Sequence, residues 1–361
     1  MISPLNTEAK TMIRYSIKYS AARIAFLFFF SVSSAQKNEI VKLVPSANEK
    51  KVDIFIGKKL FTSFIYPDSI EKPVLYPICT ANGTVVTRGF PLDPRPGEPN
   101  DHPHQIGLWF NFENVNGLDF WNNSYAIPKE KKQYYGWIKT DKILQTSGGE
   151  KGILTYHANW TNLRNDIVLE ETTRFEFSGS SHLRIIDRIT ILKANTDVLF
   201  TDAKDGMLGL RLAHELQIPE TEDQKFSDNK GNITIIKGGT DTIRNGTYLT
   251  SEGKQGNAAW STRGRWCKVY GRMGNDSISI AIIDHPQNPN YPTFWHARGY
   301  GLFAANPLGE KIFTNGKSFK NLQLKKGASV TFRFRIIIAD GSKTISTEQV
   351  NQSADNFAKK N

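Results

Sequence analysis

Cysteine is scarce in this 361-residue sequence: Cys79 and Cys267 are the only two. That excludes a disulfide-dense scaffold and a four-cysteine zinc module, and leaves one disulfide or two thiols equally open. Strong tandem repeats are absent. With 39% hydrophobic and 22% charged residues the chain is no disordered tail or low-complexity scaffold. Strand–helix alternation is also missing, which argues against a Rossmann or TIM architecture, and no nucleotide cofactor is expected. No linker rich in Pro, Gly or Ser divides residues 40–345.

Long apolar runs are lacking too. The run Ile24–Phe30 falls well short of the roughly 20 residues of a spanning helix. It follows Lys10, Arg14, Lys18 and Arg23 and leads into Ser33-Ser34-Ala35. A basic stretch, a short apolar stretch and small residues before a cut site describe a secretory signal peptide. Residues 1–35 are therefore expected to be removed near Ala35, giving a periplasmic or secreted protein with no transmembrane span. Losing four basic residues and Glu8 takes the net charge from +11 to +8. Outside the cytoplasm nucleic acid is not an expected partner, and an acidic or sulfated glycan or an anionic surface suits a basic protein better.

What is present is a period of two. Leu154, Tyr156, Ala158 and Trp160 alternate with polar residues, so Ile153–Trp160 reads as a half-buried strand. Glu171–Phe177 follows in the same way, with Thr173, Phe175 and Phe177 turned inward. Leu183–Leu192, Met207–Leu216, Ser277–Asp284 and Ser329–Ile338 are further strands, rich in β-branched and aromatic residues. Turn signals such as Asn82-Gly83, Gly238-Gly239 and Asn245-Gly246 separate such segments. Many antiparallel strands in one chain predict an all-β class, a large sandwich over residues 36–345. The polar segment Glu220–Gly231 reads as an insertion loop. A short helical tail is expected over 346–361, where Val350, Ala354 and Phe357 share a face.

Three segments carry most of the chemistry. In Asn100-Asp-His-Pro-His-Gln-Ile-Gly-Leu-Trp109, the Pro-rich lead-in places His102 and His104 where a loop enters a strand. Residues two apart in extended chain point the same way, so both imidazoles can serve one site. Such a pair divides acid and base roles or binds a metal. The second segment runs from Asp284-His285-Pro286 to Trp295-His296-Ala297-Arg298. It repeats the Asp-His-Pro motif, and its X-Pro steps hold the chain extended. In the third, Lys204-Asp205-Gly-Met-Leu-Gly-Leu-Arg211, the turn presents Asp205, and Arg211 lies among apolar neighbours. An arginine there needs a carboxylate partner or an anionic ligand. Glu170 and Glu171 are weaker candidates for a general base. Trp121 sits on the turn Val115–Trp121, and indole faces suit the C–H faces of sugars.

Asp101-His-Pro-His104 with Gly107-Leu-Trp109, Asn116-Gly-Leu-Asp-Phe-Trp121, Asp205-Gly-Met-Leu-Gly-Leu-Arg211, and His285 to His296 through Tyr300-Gly-Leu-Phe-Ala-Ala-Asn-Pro307 resemble proteins labelled "PmoA family". The resemblance covers roughly residues 50–340. The label derives from a membrane subunit of methane monooxygenase, and a chain with no spanning helix after its signal peptide does not fit that oxygenase activity. The resemblance implies an antiparallel supersandwich similar to galactose mutarotase, and with it carbohydrate chemistry. It also leads one to expect Glu where this chain has Asp205.

The reading that unites these segments is an exported carbohydrate-active enzyme. His102, His104, His285 and His296 would act as acid and base together with Asp205. Arg211 or Arg298 would hold an anionic group, Trp109, Trp121 and Trp295 would form a platform, and Asn306 is placed with the binding residues. Histidine handles both proton steps near neutral pH, which favours a lyase or epimerase. A hydrolase needs two opposed carboxylates, and no such pair stands out. The alternatives are a non-catalytic glycan-binding protein, or a metal-dependent enzyme whose four histidines hold a divalent ion.

Overall fold

Alternating strands bury one face each, and the computed structural model, which describes residues 38–227, 233–236, 238–239 and 241–360, shows what those faces meet. These residues fall within one unit, Lys37–Asn361. The expected signal peptide, residues 1–35, lies outside the described residues. Two eight-stranded sheets dominate. The first runs Val41–Ser46, Lys51–Ile56, Lys59–Ile65, Val74–Ile78, Leu108–Phe112, Gly206–Arg211, Leu302–Asn306, Phe294–Ala297. The second runs Thr247–Thr250, Trp266–Met273, Asp276–Asp284, Ser329–Ala339, Leu183–Ala194, Ile167–Gly179, Gly152–Thr161, Trp137–Ser147. Neighbouring strands pair antiparallel in both. The fold is therefore all-β, as the period of two predicts.

The main core lies between the sheets. Phe110 of the first sheet meets Phe332 of the second at 5.6 Å between ring centroids, and Phe64 meets Tyr156 at 4.5 Å. Leu154, Tyr156, Ala158, Trp160, Thr173, Phe175 and Phe177 all point into this core. One polar island sits among them. Glu171 accepts from Tyr156 Oη at 2.6 Å, Trp160 Nε1 at 2.8 Å and Arg188 Nη2 at 2.8 Å. It is fully buried, so this carboxylate is a strut of the core and not the surface general base considered from sequence.

The first sheet is covered on its other face as well. Trp109, Trp121, Ile106, Tyr300, Leu302 and Ala304 form a second, smaller core there. Along Phe294–Ala297 the alternation sends Trp295 and Ala297 into the main core. His296, between them, is turned to the opposite face. Gly209 lies under the indoles: a Cβ there would meet Trp109 at 2.4 Å and Trp121 at 2.8 Å.

Some elements differ from expectation. The strand expected over Met207–Leu216 ends at Arg211, and residues His214–Leu216 form a 3₁₀ turn. The segment expected as an insertion loop, Glu220–Gly231, contributes the strand Gln224–Ser227, which pairs with Ile233–Ile236 just beyond it. A short helix, Glu310–Phe313, was not signalled by periodicity. The C-terminal helix, Thr347–Phe357, has a Ser346/Gln349 capping box and buries Val350, Ala354 and Phe357 against Trp266, Ile283 and Ile337. Cys79 and Cys267 are buried and unpaired, which decides between the two thiols and the disulfide. Among the described residues no helix is long and apolar enough to cross a membrane.

Arg188→Met leaves Glu171 as a buried carboxylate without its cation. Stability should fall by about 3–5 kcal/mol, read as a lower urea midpoint at unchanged slope.

Candidate active site

The outer face of the first sheet and the loops above it hold a dense set of charged groups. Residues 89–107 form a long connection into the strand Leu108–Phe112, and Arg88 staples its final turn. The Arg88 guanidinium donates to the carbonyls of Asp101 at 2.7 Å, His102 at 3.0 Å and Gln105 at 3.1 Å. It also donates to Asp101 Oδ1 at 3.1 Å. From the end of the neighbouring strand, Arg211 Nη2 reaches the same carboxylate at 2.8 and 2.9 Å. Arg211 Nη1 donates to Gln105 Oε1. Both arginine side chains are fully buried. Burial pushes the Asp101 carboxyl up, but Arg211, His102 and Arg88 together pull harder and hold it well below the usual carboxylate range.

The second Asp101 oxygen hydrogen-bonds His102 Nδ1. His102 adopts φ +45°, a left-handed conformation uncommon for any residue but Gly. Its ring stacks on Tyr300 at 5.0 Å and 3°. The Arg211 guanidinium lies 4.8 Å from the same tyrosine ring. Burial, outweighing the pull of Asp101, lowers the His102 pKa and so favours the neutral ring. With Nδ1 as donor to Asp101, the imidazole lone pair is at Nε2. His104 sits 5.6 Å from His102, edge to face. Its Nε2 is buried and makes no hydrogen bond to the protein. Burial holds its pKa well below the ordinary value.

A second group approaches the same face from the turn Ala203–Asp205. Asn306 ties that turn down by donating to the carbonyls of Ala203 at 2.9 Å and Lys204 at 2.8 Å. Asp205 Oδ1 lies 3.3 Å from His296 Nδ1. That contact is an ion-pair distance without hydrogen-bond alignment, because His296 Nδ1 has no hydrogen-bond partner. Glu113 is buried beside Asp205, whose amide donates to its Oε2 at 3.1 Å. Burial and then the Asp205 charge push the Glu113 carboxyl well above the usual carboxylate range. His296 is depressed first by burial and then by the charges of Lys204 and Arg298. Lys72 adds a further buried amine, donating to the His104 carbonyl at 2.7 Å, with its pKa lowered by burial to about 8.

The Arg298 guanidinium lies over the Trp260 ring at 5.1 Å, while His102, His104 and Arg211 are brought together at Asp101, and Asp205 with His296. His285 joins neither group. Its Nδ1 accepts from the Gln287 amide at 3.1 Å, its Nε2 lies 3.1 Å from the Lys360 carbonyl, and its ring meets Phe357 edge-on. It anchors the C-terminal helix. Trp109, Trp121 and Trp295 are fully buried and offer no open face, so the expected platform is not formed by them. Asn306 is buried as well and acts on the turn. Among the described residues no group of three or more His, Cys, Asp or Glu is placed to hold a metal, so the four histidines do not assemble as ligands. Sequence reasoning missed Arg88, Lys72, Glu113 and the role of Tyr300. Arg88 carried a signal, since it stands between Val85-Val86-Thr87 and Gly89-Phe90 much as Arg211 stands among apolar residues.

Asp101→Asn removes the one charge shared by two buried guanidinium groups and should cost about 3–5 kcal/mol at neutral pH. A carboxyl held low in the fold stabilises above its unfolded pKa of about 3.9 and loses that contribution as pH falls through the folded value. The stability gap between wild type and variant should therefore be flat above about pH 5 and shrink only in stronger acid, as followed by urea titrations across pH.

Comparison with solved structures gives low-identity likenesses across most of the chain. A GH36 alpha-galactosidase from Geobacillus stearothermophilus is 11% identical with a TM-score of 0.39, over 84% of this chain and 41% of that one. This chain thus spans about two fifths of that enzyme's length. A galactose mutarotase-like protein from Clostridium acetobutylicum is 10% identical with a TM-score of 0.37, over 85% of this chain and 100% of that one. A protein from Synechocystis sp. PCC 6803 is 9% identical with a TM-score of 0.36, over 87% of this chain and 100% of that one. No curated protein matches. None of these matches carries the PmoA label. The model of a family of unknown function, DUF6807, matches residues 51–355, and the chain belongs to that family.

Proposed function

We propose that this protein is an exported carbohydrate-active enzyme that moves a proton on an acidic sugar, as a lyase or an epimerase. The observation that carries the reading is the His102–Asp101 dyad. Its carboxylate is clamped by Arg88 and Arg211, and its imidazole is fixed by Tyr300 in a left-handed backbone position. Strained backbone held by surrounding structure clusters at functional sites. An imidazole whose Nδ1 is committed to a carboxylate presents Nε2 as a base of suitable strength near neutral pH.

Two further features support the sugar and its charge. Buried imidazole, carboxyl, phenol and guanidinium groups offer the many paired donors and acceptors that a polyhydroxylated ligand needs. The cations Arg88, Arg211, Lys204 and Arg298 outnumber the carboxylates Asp101, Asp205 and Glu113, which favours a ligand carrying a carboxylate or sulfate. In a uronate the C–H beside the carboxylate gives its proton to His102 Nε2, and the electron pair moves into the carboxylate as an enediolate. Expelling the substituent one carbon further, its oxygen taking up the proton that His102 has gained, gives an unsaturated sugar, while return of a proton to the other face gives the epimer.

The test is incubation of the mature protein in D₂O with neutral, uronate-containing and sulfated oligosaccharides, followed by mass spectrometry. The expected products are an unsaturated uronate or a uronate carrying carbon-bound deuterium. His102→Ala should slow their formation by about 10²–10⁴-fold. Activity should be present at neutral pH and fall as pH drops through a His102 pKa below the ordinary value of about 6.5. Products that have gained water, or uronates left without deuterium, would overturn the reading.

A further inference from the structure

A cleft of about 360 Å³, lined in part by Asp101, opens between residues 97–101 and the segment Asp241–Arg244. Its volume lies within the roughly 300–1,000 Å³ of small-ligand pockets. One chain segment serves both places: Arg211 ends its strand at Asp101, and the 3₁₀ turn that follows immediately delivers His214 into the cleft. His214 is only 7% exposed. Its Nε2 is hydrogen-bonded to Asp241 Oδ2, which also accepts from Arg244 Nε at 3.0 Å. The other ring nitrogen, Nδ1, is buried and has no hydrogen-bond partner.

We propose that this cleft is a second sugar subsite, which holds the unit next to the reacting one, so that the substrate is an oligosaccharide and not a free monosaccharide. This rests on the proposed reaction at His102. The chemistry of the cleft points to a hydroxyl. With Nε2–H committed to Asp241, a neutral His214 offers an acceptor at Nδ1, and a protonated one offers a donor. A sugar hydroxyl satisfies either state, whereas a carboxylate or an ammonium satisfies only one. Ile235, on the exposed hairpin, adds an apolar wall against which the C–H face of a ring can lie. The unit next in the chain is the natural occupant, because Asp101 lines the cleft while its carboxylate holds the His102 ring.

The experiment measures binding by calorimetry of glucuronate and galacturonate, each as monomer, dimer and trimer, to the full mature chain. Wild type should bind the dimer or trimer of one series at least tenfold more tightly than its monomer. His214→Phe should remove that gain and leave monomer binding unchanged. Ile235→Trp, a substitution at an exposed position that narrows the cleft without touching the core, should do the same. Equal affinity for monomer and trimer in wild type, or variants that weaken both alike, would overturn the subsite while leaving the proposed reaction standing. Failure of every member of both series to bind would overturn the acidic-sugar reading itself, and the subsite with it.

Discussion

The carboxylate of Asp101, shared between two buried arginines, is the interaction on which the site depends. Removing three charges from water is costly, and the two guanidinium groups repel each other. Their arrangement persists because Arg88 also satisfies four carbonyls of the loop and Arg211 is further held by Gln105. What this network secures is geometry. It fixes the loop that forces His102 into a left-handed conformation and lays its ring on Tyr300. It also keeps Asp101 ionised, so the imidazole has a fixed hydrogen-bond acceptor and one tautomer.

The sandwich supplies the platform for this network through alternation. In the first sheet, residues pointing one way fill the main core, and residues pointing the other way meet a second apolar layer made by loops. Leu302 and Ala304 belong to that outer layer, while Phe303 and Ala305 belong to the inner one. Arg211 and His296 share the outer face, where loops can reach them. A sheet with both faces covered can bury polar chemistry without exposing it to the main core, and the Gly209 position shows how closely the indoles settle on that face.

Much of this was legible in the sequence, and the reasons differ by residue. The strands around Leu154–Trp160 and Thr173–Phe177 announced themselves because alternation directly encodes a two-sided environment. The C-terminal helix did so through Val350, Ala354 and Phe357. Arg211 stood out because a charged group among apolar neighbours needs a partner, and His102 and His104 because residues two apart where a loop enters a strand point the same way. The tryptophans misled, since alternation says which residues share a face but not whether a second layer covers it. His285 misled because the Asp-His-Pro echo is local, and the group that claims its ring, the Lys360 carbonyl, comes from the residues after the C-terminal helix, 75 positions along the sequence. Glu113 gave no local signal: its neighbours in sequence do not reveal that Asp205 folds against it.

The central claim is that burial keeps His102 neutral against the pull of Asp101, while the bond to Asp101 fixes the proton on Nδ1 and the lone pair on Nε2. Nitrogen NMR of ¹⁵N-histidine-labelled protein reads this directly, with the His102 signal assigned by comparison with His102→Gln. The account predicts a neutral His102 at pH 7 protonated at Nδ1 only. A doubly protonated ring at pH 7, or a neutral ring with its proton on Nε2, would contradict it.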